Sequence, residues 1–252
     1  MKRSHFLRLA SDHGIEKSVP FSQRAWRRRH YAVDPGKLCS GLIYFWLDAL
    51  LRRGRPLQQL RAPDDDTLRH IHELQATSYY PSFSDDHLPT EEDCALLERK
   101  YGTPRWSEVR ERIRARAGGD AVLYDLATMF DFDAATVSRF EQFPDVLPDC
   151  ALLPRGSAVI AVLRYRQSGV ASGHRIAWFC NADGRHYFFD PNAGAVIESR
   201  ATVFRSWIDA YYEAADYPIF SRPEDGASLR LYQLHGARSA RPELAAHRYA
   251  HG

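Results

Sequence analysis

Residues Ser172 to Gly194 read S-G-H-R-I-A-W-F-C-N-A-D-G-R-H-Y-F-F-D-P-N-A-G. Two runs rich in aromatic and β-branched residues, His174–Cys180 and Arg185–Asp190, flank Asn181-Ala182-Asp183-Gly184, a strong turn signal. The stretch therefore reads as a β-hairpin. His174 opens its first strand, Asp190 closes its second, and the pair is centred on position 182, inside the turn. In any short-loop register the imidazole and the carboxylate lie within a residue or two of being cross-strand partners, close enough to hydrogen-bond. A histidine held by a carboxylate is half of a catalytic triad, and it asks for a nucleophile.

The nucleophile is sought in Asp34-Pro35-Gly36-Lys37-Leu38-Cys39-Ser40-Gly41, which runs into L-I-Y-F-W-L-D-A-L-L. Pro35-Gly36 is a turn, and the residues after it have helical composition with apolar side chains on nearly every side, the pattern of a buried helix. Cys39 stands in the first turn of that helix. Free backbone N–H groups and the positive end of the macrodipole stabilise a thiolate there.

The chain has 252 residues, 44% apolar and 26% charged, with a net charge of +2. These values suit a globular protein and give no global electrostatic case for nucleic acid. The longest apolar run, Leu42–Leu51, contains Asp48 and is half the roughly twenty residues a spanning helix needs. Cys39, Cys94, Cys150 and Cys180 show no C-x-x-C spacing and read as free thiols in a reducing compartment. Cys94 and Cys150, with no base nearby, read as small core residues. His70 and His72 fall on different helix faces, and His87 between acidic neighbours reads as a solvated loop, so no metal site is expected.

Residues 1–30 carry eight Lys and Arg against Asp12 and Glu16. With no apolar h-region they do not read as a Sec signal peptide. The expectation is a solvated, flexible basic arm; the sharper alternative is a patch centred on Trp26-Arg27-Arg28-Arg29 that touches an acidic membrane surface or protein partner.

After the stop at Arg52–Pro56 the chain reads as helical over Asp65–Gln75, Glu91–Lys100, Trp106–Ala117 and Asp120–Phe130, with Thr90 as a cap and Tyr79–Phe83 as an aromatic loop. Past Pro154-Arg155-Gly156 the period changes. Ala158–Arg164 is a central strand that turns at Gln167-Ser168-Gly169 toward His174; Ala195–Glu198 is extended, Ala201–Ala214 is a helix and Leu229–Leu234 is a last strand. Helices first and an antiparallel sheet second make α+β. We expect one domain over 31–235 and a disordered tail over 236–252.

Nucleophile, base and carboxylate come in that order along the chain, with 135 positions from Cys39 to His174, which is the layout of papain-like enzymes. Transglutaminase-like and arylamine acetyltransferase sites bring Cys and His closer in sequence. Cys-x-Gly-Leu-x-x-x-Trp over 39–46, Gly-His at 173–174 and Phe-Phe-Asp-Pro-Asn-x-Gly over 188–194 together resemble the YopT/AvrPphB group of bacterial effector cysteine peptidases. The resemblance implies a papain-like fold, with Cys39 as nucleophile, His174 as base then acid, and Asp190 as its orienter. It also implies a monomer that needs no metal or cofactor, binds no nucleic acid, and cleaves a host protein after a type III-like system delivers it into the host cytoplasm. One departure stands out. Such enzymes place a Gln or Asn amide a few residues before the nucleophile as an oxyanion donor, and positions 32–38 read A-V-D-P-G-K-L. Asp34 is the nearest group, and only the Cys39 N–H is evident as a donor. Glutamine deamidation or transglutamination shares the acyl-enzyme chemistry and is the alternative activity. A catalytically silent interaction module is the third reading.

Overall fold

The computed structural model describes residues 1, 3–32, 37–52, 54–77, 137–140, 153–167, 170–215 and 228–234. Its order is α1 (Arg3–Asp12), β1 (Lys17–Pro20), α2 (Gln23–His30), α3 (Cys39–Leu51), α4 (Pro56–Arg61), α5 (Asp65–Thr77), β2 (Val137–Phe140), β3 (Ser157–Gln167), β4 (Val170–Cys180), β5 (His186–Asp190), β6 (Gly194–Glu198), α6 (Ala201–Ala214) and β7 (Ser228–Leu234). The class is α+β, as expected. The helices read over 91–130, the loop 79–83, Asp34, His87, Cys94, Cys150 and the tail 236–252 lie outside the described residues.

Where the sequence suggested one domain, the chain divides into two compact units, Met1–Cys39 with Ala135–Gly236, and Ser40–Ala134 with Ala237–Gly252. The first holds a seven-stranded sheet in the order β1-β6-β5-β4-β3-β7-β2, antiparallel at every pairing. Alternate residues of its strands line one core face: Val159, Ala161 and Leu163 from β3, Ile176 and Trp178 from β4, Phe188, Val196 and Leu231. Phe6 and Ala10 of α1 and Phe204, Trp207, Ile208, Tyr211 and Tyr212 of α6 complete that core. The intervening Ala158, Ile160, Val162, Ala177, Phe179 and Phe189 are buried as well. This is why Ala158–Leu163 is apolar without alternation. In the second unit α3 buries Leu42 to Leu47 on all sides, as its composition requires. Gly41 has its N–H on Gln75 Oε1, and a Cβ at that position would overlap the Ile71 carbonyl of α5.

The N-terminal residues correct an expectation. Residues 1–30 are no free arm. They carry α1, β1 and α2, and β1 pairs with β6 from Lys17↔Ile197 to Pro20↔Gly194. Charge dominated the reading of this segment, but Phe6 and Ala10 stand at i and i+4, a spacing that places both on one helix face. Phe6 meets Trp207 and Tyr211 edge-on at 5.9 and 6.3 Å. Gly194 makes the junction close: a Cβ there would stand 2.5 Å from both Phe6 Cε1 and the Val19 carbonyl. A buried carboxylate adds a clamp. Glu198 takes the Glu16 N–H at 2.8 Å, the Arg200 N–H at 2.9 Å and Arg200 Nε at 2.7 Å, while Arg200 also reaches the Gly14 carbonyl at 2.6 Å. Burial alone would raise the Glu198 carboxyl; these donors, those of Arg200 first, lower it from 4.5 to about 2.

Two outcomes are expected. Phe6→Ala should lower the free energy of urea unfolding by about 3–5 kcal/mol, the usual cost of truncating a buried Phe, whereas a dispensable arm would leave the midpoint unmoved. Because Glu198 titrates lower in the folded state, its contribution is complete above about pH 4.5 and is lost as pH falls through about 2. Stability measured across that window should be flatter for Glu198→Gln than for the wild type.

Candidate active site

The hairpin forms as read, with Ala177↔Phe189, Trp178↔Phe188, Phe179↔Tyr187 and Cys180↔His186 opposed. Continued by one pair, this register sets Asp190 opposite Ile176. His174 is then a diagonal neighbour of Asp190 on the same face, within reach for long side chains. The imidazole Nε2–H donates to Asp190 Oδ1 at 2.8 Å, with His174 2% and Asp190 0% exposed. Cys39 is the first residue of α3 and is 6% exposed. Its thiol and the His174 ring lie close enough to shift each other's titration. The three residues singled out from sequence come together within the first unit.

Asp190 is held by more than histidine. Its Oδ1 also accepts the Asn192 main-chain N–H at 2.7 Å, and its Oδ2 accepts the Tyr211 hydroxyl in a short hydrogen bond. These donors satisfy a carboxylate that no water reaches and fix the ring it orients. Tyr211 gave no sequence signal, for it sits in the apolar face of α6 among Trp207, Ile208 and Tyr212.

Gln23 brings an amide beside Leu38, where the window 32–38 has none. It is the first residue of α2, 7% exposed, and its main-chain N–H donates to the Pro191 carbonyl at 2.7 Å. Its Oε1 accepts the Leu38 N–H at 3.1 Å, directly before Cys39. A backbone N–H can only donate, so this contact fixes the sense of the whole amide relay. Gln23 Nε2 donates to Asn192 Oδ1 at 2.6 Å, which turns Asn192 Nδ2 toward His174. That nitrogen lies 3.4 Å from Nδ1 and 3.5 Å from Nε2. In the ring plane such near-equal distances would overlap Cε1–H, so the amide rests over the imidazole face. Only the proximity of Gln23 in space reveals it, since it stands sixteen positions before Cys39.

The electrostatics favour an ion pair. Burial pushes the Cys39 thiol up, but the hydrogen bond and charge of His174, then the charge and main-chain N–H of Arg175, bring it below the ordinary thiol value. Burial likewise opposes a charged His174; Asp190 first, and Cys39 second, raise the ring from 6.5 to about 9. Arg175, buried next to the histidine in sequence, is a second contributor that motif reading passed over. Cys180, by contrast, is pushed up by burial.

No family model matches the chain, and a search of curated proteins finds no match. Among solved structures it is similar to PatoxP, a cysteine protease-like domain of the Photorhabdus asymbiotica toxin PaTox, at 12% identity and a TM-score of 0.33. The match covers 91% of this chain and 60% of that one, so this chain spans less than two thirds of its length. A superposition this loose leaves the site to be argued from its own geometry.

In a pH series of iodoacetamide labelling with peptide mapping, Cys39 should react at mildly acidic pH, ahead of Cys180. His174→Ala should move Cys39 labelling to higher pH, and labelling that tracks an ordinary thiol in both proteins would rule out the ion pair. The His174 ring, observed by NMR, should titrate near pH 9 and move down in Asp190→Asn. Because its folded value is raised, its contribution to stability is complete below about pH 6.5 and fades as pH climbs through about 9.

Proposed function

We propose that this protein is a cysteine-type peptidase acting through Cys39, His174 and Asp190. The observation that carries the reading is a buried imidazole held by a buried carboxylate at 2.8 Å and coupled electrostatically to a buried thiol on the first residue of a helix. In this reading the Cys39 thiolate adds to the scissile carbonyl carbon. The resulting oxyanion is met by the Cys39 main-chain N–H and by Gln23 Nε2, which exchanges Asn192 Oδ1 for the new oxygen. The imidazolium then gives its Nδ1 proton to the leaving amine, and an acyl-enzyme remains. Neutral His174 next takes a proton from water, whose oxygen attacks the thioester and releases the acid and the thiol. Asp190 orients the ring throughout and stabilises its charge.

Gln23 supports catalysis over the silent-module reading, because the amide whose absence favoured that reading is in place. The wider setting we propose rests on the three motifs over 39–46, 173–174 and 188–194: a host protein as substrate, and delivery into the host cell by a type III-like system.

Active and Cys39→Ala proteins, incubated with a host-cell lysate and analysed by mass spectrometry for new termini and for Gln-to-Glu conversion, test the reading. New termini that depend on Cys39 are expected. Gln-to-Glu conversion alone would replace the peptidase with a deamidase, and no Cys39-dependent change would overturn both. On a substrate so found, His174→Gln should lose at least about 10³-fold in kcat. Gln23→Ala should lose about 10²–10³-fold, the usual cost of one oxyanion donor.

A further inference from the structure

Helix α2 begins in the catalytic site and leads away from it. Gln23 ties its first turn to Leu38, Pro191 and Asn192. Ser22 caps it by accepting the Ala25 N–H. Trp26, 6% exposed, fills its inner side against Phe21, His30 and Tyr31 at 6.2, 5.2 and 5.9 Å, and Phe21 in turn lies 5.4 Å from Phe189 of β5. The helix is thus fixed to the strand that ends at Asp190.

Its outer side is basic. Arg24, Arg28 and Arg29 are exposed, and no ion pair or hydrogen bond joins them to another group among the described residues. Helix stability does not account for the pattern. A basic last turn suits the macrodipole, but Arg24 stands in the first turn, where positive charge is unfavourable, and no acidic residue offsets it. Arg24 and Arg28 are also like charges at i and i+4, which repel. The exposed Asn192 lies beside the start of this stripe and against His174.

We propose that Arg24, Arg28 and Arg29 form a docking surface for an acidic peptide segment of the protein cleaved at Cys39. The proposal rests on the peptidase reading above for its substrate and on charge for its chemistry. Guanidinium groups pair two-pronged with Asp and Glu carboxylates. Arg28 stands about 7.5 Å along the helix from Gln23 at about 1.5 Å per residue. An extended chain advances about 3.3 Å per residue, so its acidic side chains fall within about four residues of the bond attacked. A membrane surface fits less well. Insertion needs an apolar face, and that of α2 is already spent on Trp26 and its neighbours.

The test uses full-length Cys39→Ala protein and fluorescence anisotropy with a labelled peptide alternating Ser and Glu, its Ser and Gln counterpart, and phosphatidylserine vesicles. The Glu peptide should bind about tenfold more tightly than the Gln peptide and weaken with added salt. Arg24→Glu/Arg28→Glu should abolish the preference, and Arg24→Gln/Arg28→Gln, which keeps good helix formers, should do the same. Arg3→Glu/Arg8→Glu, with the same change in net charge on exposed positions of α1, should retain it. No preference for Glu, an equal loss in the α1 control, or tighter binding to vesicles than to peptide would overturn the proposal. In the lysate experiment, Cys39-dependent cleavage sites should carry Asp or Glu within about four residues on one side. Glu-selective binding without cleavage would remove the peptidase and leave the surface; cleavage without selectivity would do the reverse.

Discussion

The Asp190 carboxylate, wholly buried and surrounded by the His174 ring, the Asn192 main-chain N–H and the Tyr211 hydroxyl, is the constraint on which the rest of the site depends. An unpaired carboxylate in that position would be untenable, so each donor is under strong pressure to stay where it is. The consequence is mechanical as well as electrostatic. Strand β4, the turn after β5 and helix α6 are joined at a single group. The imidazole that results has Nε2 committed to Asp190 and its ring plane fixed.

A second constraint runs through amides instead of charges. Leu38, Gln23, Asn192 and His174 form a directed chain, and its direction is set by a backbone group that can only donate. This fixes Gln23 Nε2 toward the site and Asn192 Nδ2 toward the ring. Without the Leu38 contact either amide could turn over, and the side presented to a reacting oxygen would be undefined.

The grouping of Cys39 with His174 and Asp190 and the hairpin were legible because each has a local signature: a thiol ahead of an apolar helix, and turn residues between two aromatic runs. Register was legible only to within two residues, since nothing in Asn181–Gly184 alone selects among short loops. Helix α6 and strand β3 were read within a few residues, while α1, β1 and α2 were missed. Eight cations in thirty residues conceal the buried apolar residues Phe6 and Ala10 of α1 and Trp26 of α2. Gln23 was missed for another reason. The expectation looked for an amide adjacent in sequence, whereas this one enters along α2 and is held beside Cys39 by hydrogen bonds to Leu38, Pro191 and Asn192. Tyr211 and Arg175 contribute through position in space, which a linear motif does not carry.

The pairing of β1 with β6 has a consequence in time. Gln23 and Cys39 are synthesised well over a hundred residues before His174, Asp190, Asn192 and Tyr211. Until β6 exists, β1 has no neighbour, α1 has no core to enter, and the sulfur at position 39 has neither an imidazole nor a buried arginine beside it. A nascent or unfolded chain therefore carries an ordinary thiol. The neighbours that lower the Cys39 thiol arrive with the last long-range contacts and leave when those contacts break.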